Sequence, residues 1–270
     1  MRALLGLGDN TTDLYVDQGV MYPGGNTVNV AVLAARLGRP SSYLGVLGND
    51  GRGQLILNAL RREGVNISRA RTVPGTTSWS RVRHHGTDRV FDGDDVGVSR
   101  QWTFTPDDDR FIGTHHTVHT SVYSGLDDHL PRIRAAARLL SYDYSTAWTP
   151  HTLSATAPLL DVAFLSGAAR SPEDCVAAAR HLSALGTGVV VVTRGAEGAL
   201  AVRGPDVCHQ PAAPAQVSDT LGAGDAFIAA FLHHWTDTPD LPGALLRGAQ
   251  EAARNCATPG AFGHGAPLTP

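Results

Sequence analysis

The chain has 270 residues, is 42% hydrophobic and carries a net charge of −3, the composition of an ordinary globular protein. It contains no basic cluster and no apolar run of about 18 residues, which excludes nucleic-acid binding through a positive stripe and a membrane-spanning helix. All 22 basic residues are Arg, and the absence of Lys excludes a Walker-type P-loop, a protein-kinase fold and Schiff-base chemistry.

Short apolar, β-branched runs alternate with helical patterns along the chain. The strand patterns lie at residues 3–7, 43–47, 117–120, 140–144, 162–165 and 188–193. The helical patterns lie at residues 27–37, 54–62 and 172–185. This order predicts an α/β fold, in which helices cover both faces of a mostly parallel sheet.

One region breaks this alternation. Residues 76–98 alternate in polarity across two short arms, with a turn from Gly86 to Asp88, which predicts a hairpin with a half-exposed face. With strands at about 13–22, this hairpin predicts a small sheet over the mouth of the main sheet. No internal repeat or long linker occurs, so we expect one domain over residues 1–270, with a lid formed by 13–22 and 76–98.

Residues 219–227 place three small residues directly before an acidic residue that opens an apolar helix. Gly222, Ala223 and Gly224 let a ligand approach the backbone, and the first N–H groups of a helix form an anion site. Asp225 beside such a site is a candidate general base for a hydroxyl that attacks a phosphoryl group. A Gly-rich turn before a core helix would also fit.

A second helix start with small residues lies near the amino terminus. Gly24 and Gly25 permit close backbone approach, and Asn26 and Asn29 stand three residues apart, where both can face one ligand. Asn donates and accepts hydrogen bonds, as sugar hydroxyls require, so these residues predict a sugar site. Asn26 could instead be only an N-cap.

Acidic residues follow the first predicted strand at its carboxyl end, where open parallel sheets bind ligands. Asp13 is the candidate for a carboxylate that binds substrate hydroxyls, and Asp9 is a second candidate. Asp9 could equally cap the turn between the strand and the loop.

The two glycine-rich signatures, one from Gly24 to Gly38 and one at residues 219–227, resemble those of the ribokinase-like, or PfkB, family of carbohydrate kinases. Motifs at 45–51 and 192–198 fit the same family, and the resemblance covers essentially the whole chain. It implies a Rossmann-like three-layer α/β core with a β-sheet lid, ATP with Mg²⁺ as the donor, and a sugar hydroxymethyl group as the acceptor.

Several short sequence motifs resemble those of the fructoselysine 6-kinase branch of this family. They are Gly8-Asp9-Asn10, Asp13-Leu14-Tyr15, residues 25–32, 88–91 and 142–145, and the tail from Gly263. This resemblance implies phosphorylation of the 6-hydroxyl of a sugar that an amine joins to lysine. A kinase for a plain ketose, ribose or nucleoside is the alternative within the family.

The resemblance also implies roles for individual residues. Asp225 would be the base, the N–H groups of Ala223, Gly224 and Asp225 the anion hole, and Gly222 the point of close approach. The implied sugar-binding residues are Asp13, Gly25 and Asn29. The implied nucleotide-binding residues are Thr193, Gly195, Gly198, Asn255 and Gly260. Arg194 could reach a phosphate or be a solvated surface residue.

The chain departs from the family at one point. Many relatives carry an Asn and a Glu three residues apart after a mid-chain strand, where they organise Mg²⁺ and phosphate. The equivalent stretch here, residues 164–174, contains no Asn. Glu173 is the candidate for the carboxylate, acting through water, although it also suits the acidic first turn of a helix.

Several further interpretations stay open. Asp92, Asp94 and Asp95 could meet the cationic amine of the substrate or form a polar turn. A homodimer through the lid is compatible with the family, and so is a monovalent cation such as K⁺ beside the backbone of Asp219 and Thr220. We expect a soluble, cytoplasmic enzyme whose partners are a sugar and ATP, with neither a nucleic acid nor a membrane.

Two other classes of protein remain as alternatives. A dinucleotide-dependent oxidoreductase also uses small residues at a helix start, but its glycine fingerprint should follow the first strand. The loop there, residues 8–13, reads Gly-Asp-Asn-Thr-Thr-Asp. A non-catalytic sugar-binding protein is the other alternative, and the intact Asp225 argues against it.

Overall fold

The computed structural model describes residues 2–85 and 88–268. The strands are, in chain order, β1 Leu4–Leu7, β2 Thr11–Tyr15, β3 Val20–Gly24, β4 Ser41–Leu44, β5 Val46–Gly48, β6 Arg71–Val73, β7 Trp79–His85, β8 Asp88–Asp95, β9 Thr117–Ser121, β10 Leu139–Asp143, β11 Val162–Ser166, β12 Val189–Thr193, β13 Ala199–Arg203, β14 Asp206–Gln210 and β15 Ala266–Pro267. The α-helices are α1 Asn26–Arg36, α2 Gly51–Arg62, α3 Pro106–Gly113, α4 Leu130–Ala136, α5 Pro150–Thr156, α6 Pro172–Ala184, α7 Ala223–Asp237 and α8 Leu241–Asn255.

The central sheet has eight strands in the order β14-β13-β12-β11-β10-β9-β1-β4. The six strands from β12 to β4 are parallel, and β13 and β14 continue the sheet antiparallel. Parallel strands end at the same edge of a sheet, so the loops after β1, β9, β10, β11 and β12 lie along one edge.

Strand β12 shows why helices cover both faces of this sheet. Val189 and Val191 point into one apolar core, and Val190 and Val192 point into the other, as alternate residues of a strand must. The first core contains residues of α1, α2, α7 and α8, and the second contains residues of α3 to α6. The predicted α/β fold, a three-layer sandwich with a mostly parallel sheet, is confirmed.

A smaller, five-stranded sheet has the order β15-β3-β2-β7-β8. It contains the strands predicted at 13–22 and 76–98, although β2 already begins at Thr11. Of the predicted hairpin turn, Gly86 and Thr87 lie outside the described residues. The carboxyl-terminal strand β15, which pairs antiparallel with β3, was not predicted.

The strand predicted at 43–47 is wrong as a single element. It splits at Gly45 into β4, in the central sheet, and β5, which pairs with β6 in a separate two-stranded sheet. A Cβ atom on Gly45 would lie 1.8 Å from the Tyr43 hydroxyl, so this change of direction requires glycine. No helix within 2–85 and 88–268 is both long and apolar enough to cross a membrane.

Candidate active site

The shared edge of the parallel strands gathers three carboxylates. Asp9 follows β1, Asp143 ends β10, and Asp225 lies in the first turn of α7. Asp9 and Asp143 are buried, and Asp225 is half-buried. The first turn of α1 lies between Asp143 and Asp225, since Asn26 contacts both of them.

Asn26 and Asn29 hold the carboxylate of Asp225 from both sides. Nδ2 of Asn29 donates to Oδ2 of Asp225 at 2.6 Å, and Nδ2 of Asn26 donates to Oδ1 at 2.7 Å. The same Asn26 nitrogen donates to Oδ2 of Asp143 at 2.9 Å. The N-cap of α1 is Gly25, and Asn26 is the first helical residue, so the N-cap interpretation of Asn26 is wrong.

His119 fixes the orientation of the Asn26 side chain. Its Nε2 lies 2.9 Å from Oδ1 of Asn26, and its Nδ1 lies 3.0 Å from the hydroxyl of Ser141. Because Nδ2 of Asn26 must donate to two carboxylates, its Oδ1 must accept, so Nε2 of His119 carries the proton. Burial lowers the pKa of His119 to about 3, which keeps the imidazole neutral.

Burial raises the pKa of both carboxyl groups that share Asn26. It raises the pKa of Asp225 to about 7, the charge of Asp9 adds to this rise, and the hydrogen bonds from Asn29 and Asn26 oppose it. Burial also raises the pKa of Asp143 to about 7, with further rises from the charges of Asp225 and Asp9. Such a pair titrates together near neutral pH, where a general base must exchange its proton.

The carboxylate of Asp9 is occupied by protein donors. Its Oδ1 accepts from the hydroxyls of Ser121 at 2.8 Å and Ser124 at 3.0 Å. The backbone N–H groups of Asn26 and Thr27 also bond to it, and burial raises its pKa. Asp9 therefore satisfies N–H groups at the start of α1, and its roles as a cap of the turn after β1 and as a sugar ligand stay predictions.

The amino terminus of α7 has the geometry of an anion site. Gly222 is its N-cap, in the left-handed region with φ of 77°, and no side chain caps the helix. A Cβ on Gly222 would lie 2.6 Å from Cα of Ala261, whereas a Cβ on Gly224 would meet nothing within 4 Å. The N–H of Ala223 donates to the carbonyl of Thr220 at 3.3 Å, and the space beside Gly224 is open, so the next N–H groups of the first turn are available to an anion.

Asp13 lies in β2 of the smaller sheet and is buried. A Cβ on Gly24 would lie 2.2 Å from Oδ2 of Asp13, and a Cβ on Gly25 would lie 2.6 Å from Cα of Asn10. The two glycines thus allow the smaller sheet and the loop after β1 to approach the start of α1. The Asp13 carboxylate therefore lies beside Gly24, two residues before Asn26, and its binding of a sugar hydroxyl stays a prediction.

Residues predicted on the nucleotide side form two groups. Asn255 donates from Nδ2 to the carbonyl of Leu221 at 3.3 Å, and the N–H of Gly260 donates to Oδ2 of Asp219 at 2.9 Å. These bonds tie the end of α8 to the loop before α7. The other group, Thr193, Gly195 and Gly198, lies at the end of β12 and in the turn after it, at the same edge of the sheet.

The candidate phosphate ligand Arg194 and the candidate metal ligand Glu173 differ in their exposure to solvent. Arg194 is not a solvated surface residue: its side chain is 13% exposed and forms an ion pair with Glu197. Glu173 is exposed in the first turn of α6, whose N-cap is Ser171. Among the described residues, no group of three or more His, Cys, Asp or Glu side chains could hold a metal ion.

The α/β sandwich, the open helix start and the adjacent carboxylate define a phosphoryl-transfer enzyme of ribokinase-like fold. The pfkB family carbohydrate kinase pattern matches residues 3–106 and 143–264. The chain therefore belongs to the pfkB family of carbohydrate kinases and is an ATP-dependent sugar kinase.

The chain is similar to known sugar kinases over almost its full length. It is 41% identical over 268 residues to fructosamine kinase FrlD of Bacillus subtilis (strain 168), covering 98% of this chain and 94% of the relative. It is 34% identical over 262 residues to fructoselysine 6-kinase of Escherichia coli (strain K12), covering 97% and 100%. Arabidopsis thaliana ribokinase, solved with ribose and ATP, shares the fold with a TM-score of 0.80 at 21% identity, covering 96% and 94%.

The sequence did not reveal Asp143 and His119 as members of this site. Asp143 appeared only within the phrase at 142–145, and His119 lies within an unremarkable strand pattern. The signal that could have found them is their position: both lie near the carboxyl ends of predicted parallel strands, where ligand-binding residues concentrate.

Proposed function

We propose that this protein transfers the γ-phosphoryl group of ATP to the 6-hydroxyl of fructoselysine or a closely related fructosamine. The observation that carries the substrate class is the 41% identity to a fructosamine kinase over 98% of the chain. The observation that carries the chemistry is the carboxylate of Asp225, held by two asparagines beside the open start of α7.

In the proposed mechanism, Asp225 accepts the proton of the 6-hydroxyl as its oxygen attacks the phosphorus. The new O–P bond forms while the bond between the γ-phosphorus and the ADP oxygen breaks. The N–H groups of Ala223, Gly224 and Asp225 stabilise the charge on the transferred group, and Gly222 permits the approach of the chain at Ala261 that shapes this turn. Asp143 and Asn26 position the base.

The remaining roles extend the same proposal. Asp13, Asn26, Asn29 and the backbone at Gly24 and Gly25 bind the sugar, under the smaller sheet, which we call the lid. The nucleotide lies along Thr193, Gly195, Gly198, Asn255 and Gly260. We propose in addition that residues 1–270 form one kinase domain with an attached lid.

Mg²⁺ bound to ATP would neutralise phosphate charge and keep much of its hydration, so few protein ligands are required. This fits a site in which the described residues form no multidentate metal cluster. Glu173, in the first turn of α6, is the carboxylate that would reach the ion through water. Activation by K⁺ beside Asp219 and Thr220, a homodimer through the lid and a cytoplasmic location are further predictions.

The decisive experiment measures ADP release with fructoselysine, fructose, ribose and adenosine as acceptors, with ³¹P NMR to locate the phosphate. We expect the highest kcat/KM with fructoselysine and a product phosphorylated on O6. Asp225→Asn should lower kcat by about 100-fold or more while the protein stays folded. Near-normal turnover of this variant would show that Asp225 is not the base.

The same assay separates the alternatives. Preference for fructose, ribose or adenosine would assign a plain sugar or nucleoside kinase. Saturable NADH binding without ADP release would favour an oxidoreductase, and sugar binding without turnover would favour a non-catalytic protein.

A further inference from the structure

The three acidic residues near the end of β8 have different surroundings. Asp92 accepts from Nε of Arg83 at 2.6 Å, and Oδ1 of Asp95 accepts from the N–H of Gly97 at 2.8 Å. Asp94 is exposed and has no hydrogen-bond or ion-pair partner among residues 2–85 and 88–268. The polar-turn interpretation therefore describes Asp95, while Asp94 is available to a ligand.

Strand register shows which face of the lid carries Asp94. Asp13 of β2 pairs with Ser80 of β7, and Ser80 pairs with Asp94 of β8. Directly paired residues of neighbouring strands project from the same face of a sheet. Asp13, Ser80 and Asp94 therefore form one row across the lid.

This face is the one that covers the site. Tyr15 lies two residues after Asp13, so both side chains share a face, and the Tyr15 hydroxyl donates to Oδ2 of Asp219 at 2.6 Å. Asp219 belongs to the loop that leads into α7, and Asp225 lies in the first turn of that helix. Asp92 lies on the opposite face, because its partner Arg83 is three residues from Ser80.

We propose that Asp94 binds the secondary ammonium group that joins the sugar to the amino acid in a fructosamine. This inference rests on the proposed function, since only an amine-linked sugar carries such a charge at this position. Asp94 is thereby a specificity-determining residue of the lid, acting at the end of the substrate opposite to the 6-hydroxyl.

The span of the row fits this substrate. Two strand spacings place Cα of Asp13 and Cα of Asp94 about 10 Å apart. A sugar hydroxyl bound to Asp13 and an ammonium nitrogen bound to Asp94 would each lie about 2.8 Å from a carboxylate oxygen. The few covalent bonds between a ring hydroxyl and the nitrogen on C1 span the distance that remains between these two bound atoms. The α-ammonium of the lysine would lie beyond Asp94.

An apolar side chain beside Asp94 fits the rest of the substituent. Phe91 is 57% exposed and pairs with Val82, which lies two residues after Ser80 and so projects from the same face of the lid. The methylene chain that follows the ammonium group would cover part of this ring and remove apolar surface from water.

The test compares Asp94→Asn with the matched control Asp92→Asn, which removes a carboxylate from the other face of the same strand. The acceptors are fructoselysine and fructosyl-butylamine, which keeps the secondary ammonium but lacks the α-amino and α-carboxyl groups of lysine. We expect Asp94→Asn to raise KM for both acceptors by about 10-fold or more, since a charge-assisted hydrogen bond is lost. KM for ATP and kcat should change little, Asp94→Glu should restore most of the affinity, and Asp92→Asn should resemble the wild type.

The outcomes distinguish this inference from the proposed function. If the wild type phosphorylates fructosamines and Asp94→Asn has an unchanged KM, the assignment of Asp94 is overturned and the function stands. An equal loss in Asp94→Asn and Asp92→Asn also overturns it, because the effect would then come from the strand and not from the site-facing charge. If the wild type phosphorylates neither fructosamine, both proposals fail.

Discussion

Replacing Asp143 by Asn should shift the pH dependence of catalysis, because it removes a charge beside the base. Asp143 and Asp225 accept hydrogen bonds from the same nitrogen of Asn26, so their facing oxygens lie about 5 Å apart. At an effective dielectric constant of about 20, two charges at this distance repel by about 3 kcal/mol. Because one pKa unit corresponds to about 1.4 kcal/mol, the pKa of Asp225 should fall by at least about one unit in Asp143→Asn.

The sign follows from the role of the base. Asp225 must be ionised to accept a proton, so kcat/KM should rise with pH through its pKa of about 7 and then level off. At pH 6, a base with a pKa of about 7 is about 9% ionised, and one with a pKa of about 6 is about 50% ionised. Relative to its own plateau, Asp143→Asn should therefore be about fivefold more active at pH 6 than the wild type.

The assay is the pH profile of kcat/KM between pH 5 and 9 for the wild type, Asp143→Asn and the control Asp206→Asn. The control removes an exposed carboxylate from β14, at the far edge of the central sheet. Circular dichroism establishes that each variant is folded, since Asp143 also accepts a hydrogen bond from the N–H of Ser145. An acidic limb that stays in place or moves upward in folded Asp143→Asn would refute the coupling between the two carboxylates.

Three further predictions follow from the site. Gly224→Ala should unfold at the wild-type temperature, because its Cβ meets nothing within 4 Å, but it should raise KM for ATP or lower kcat by about tenfold, because the methyl group fills the anion site. Gly222→Ala should instead lower the melting temperature, because its Cβ would meet Ala261. Equal melting temperatures of the two variants would contradict this contrast. His119→Phe should lower kcat by about tenfold with little change in KM for ATP, since Asn26 loses the donor that orients it; an unchanged kcat would remove His119 from the site. The raised pKa values of Asp143 and Asp225 add stability that is complete below about pH 4 and lost as pH rises through about 7. The melting temperature should therefore fall less between pH 5 and pH 8 in Asp143→Asn than in the wild type. Parallel falls in both proteins would contradict this linkage.

The local sequence determined the elements that follow from periodicity and small residues. The valine run of β12 is buried on both faces, as an unbroken apolar strand in a parallel sheet must be. The helix starts at Gly25 and Gly222 could also be predicted from the sequence. Backbone with positive φ at a helix start favours glycine, and the first N–H groups of a helix are left free. The position of Asp225 after such a start followed from the same pattern.

Other features depended on contacts between residues distant in the chain. The 43–47 strand breaks at Gly45, where a Cβ would lie 2.7 Å from the carbonyl oxygen of Gly8, far earlier in the chain. Strand β15 is too short to give a periodic signal and forms by pairing with β3, more than 240 positions earlier in the chain. None of these contacts has a counterpart in local propensity.

The sequence by itself determined the fold class, the family and the two helix starts that frame the reaction, because these reside in residue types at short spacing. Only the tertiary structure brought Asp143 and His119 to Asn26, and only strand register placed Asp94 in line with Asp13. The physical reason is that a pKa, a side-chain orientation and a shared sheet face all depend on neighbours that burial and pairing supply across more than 60 residues of chain.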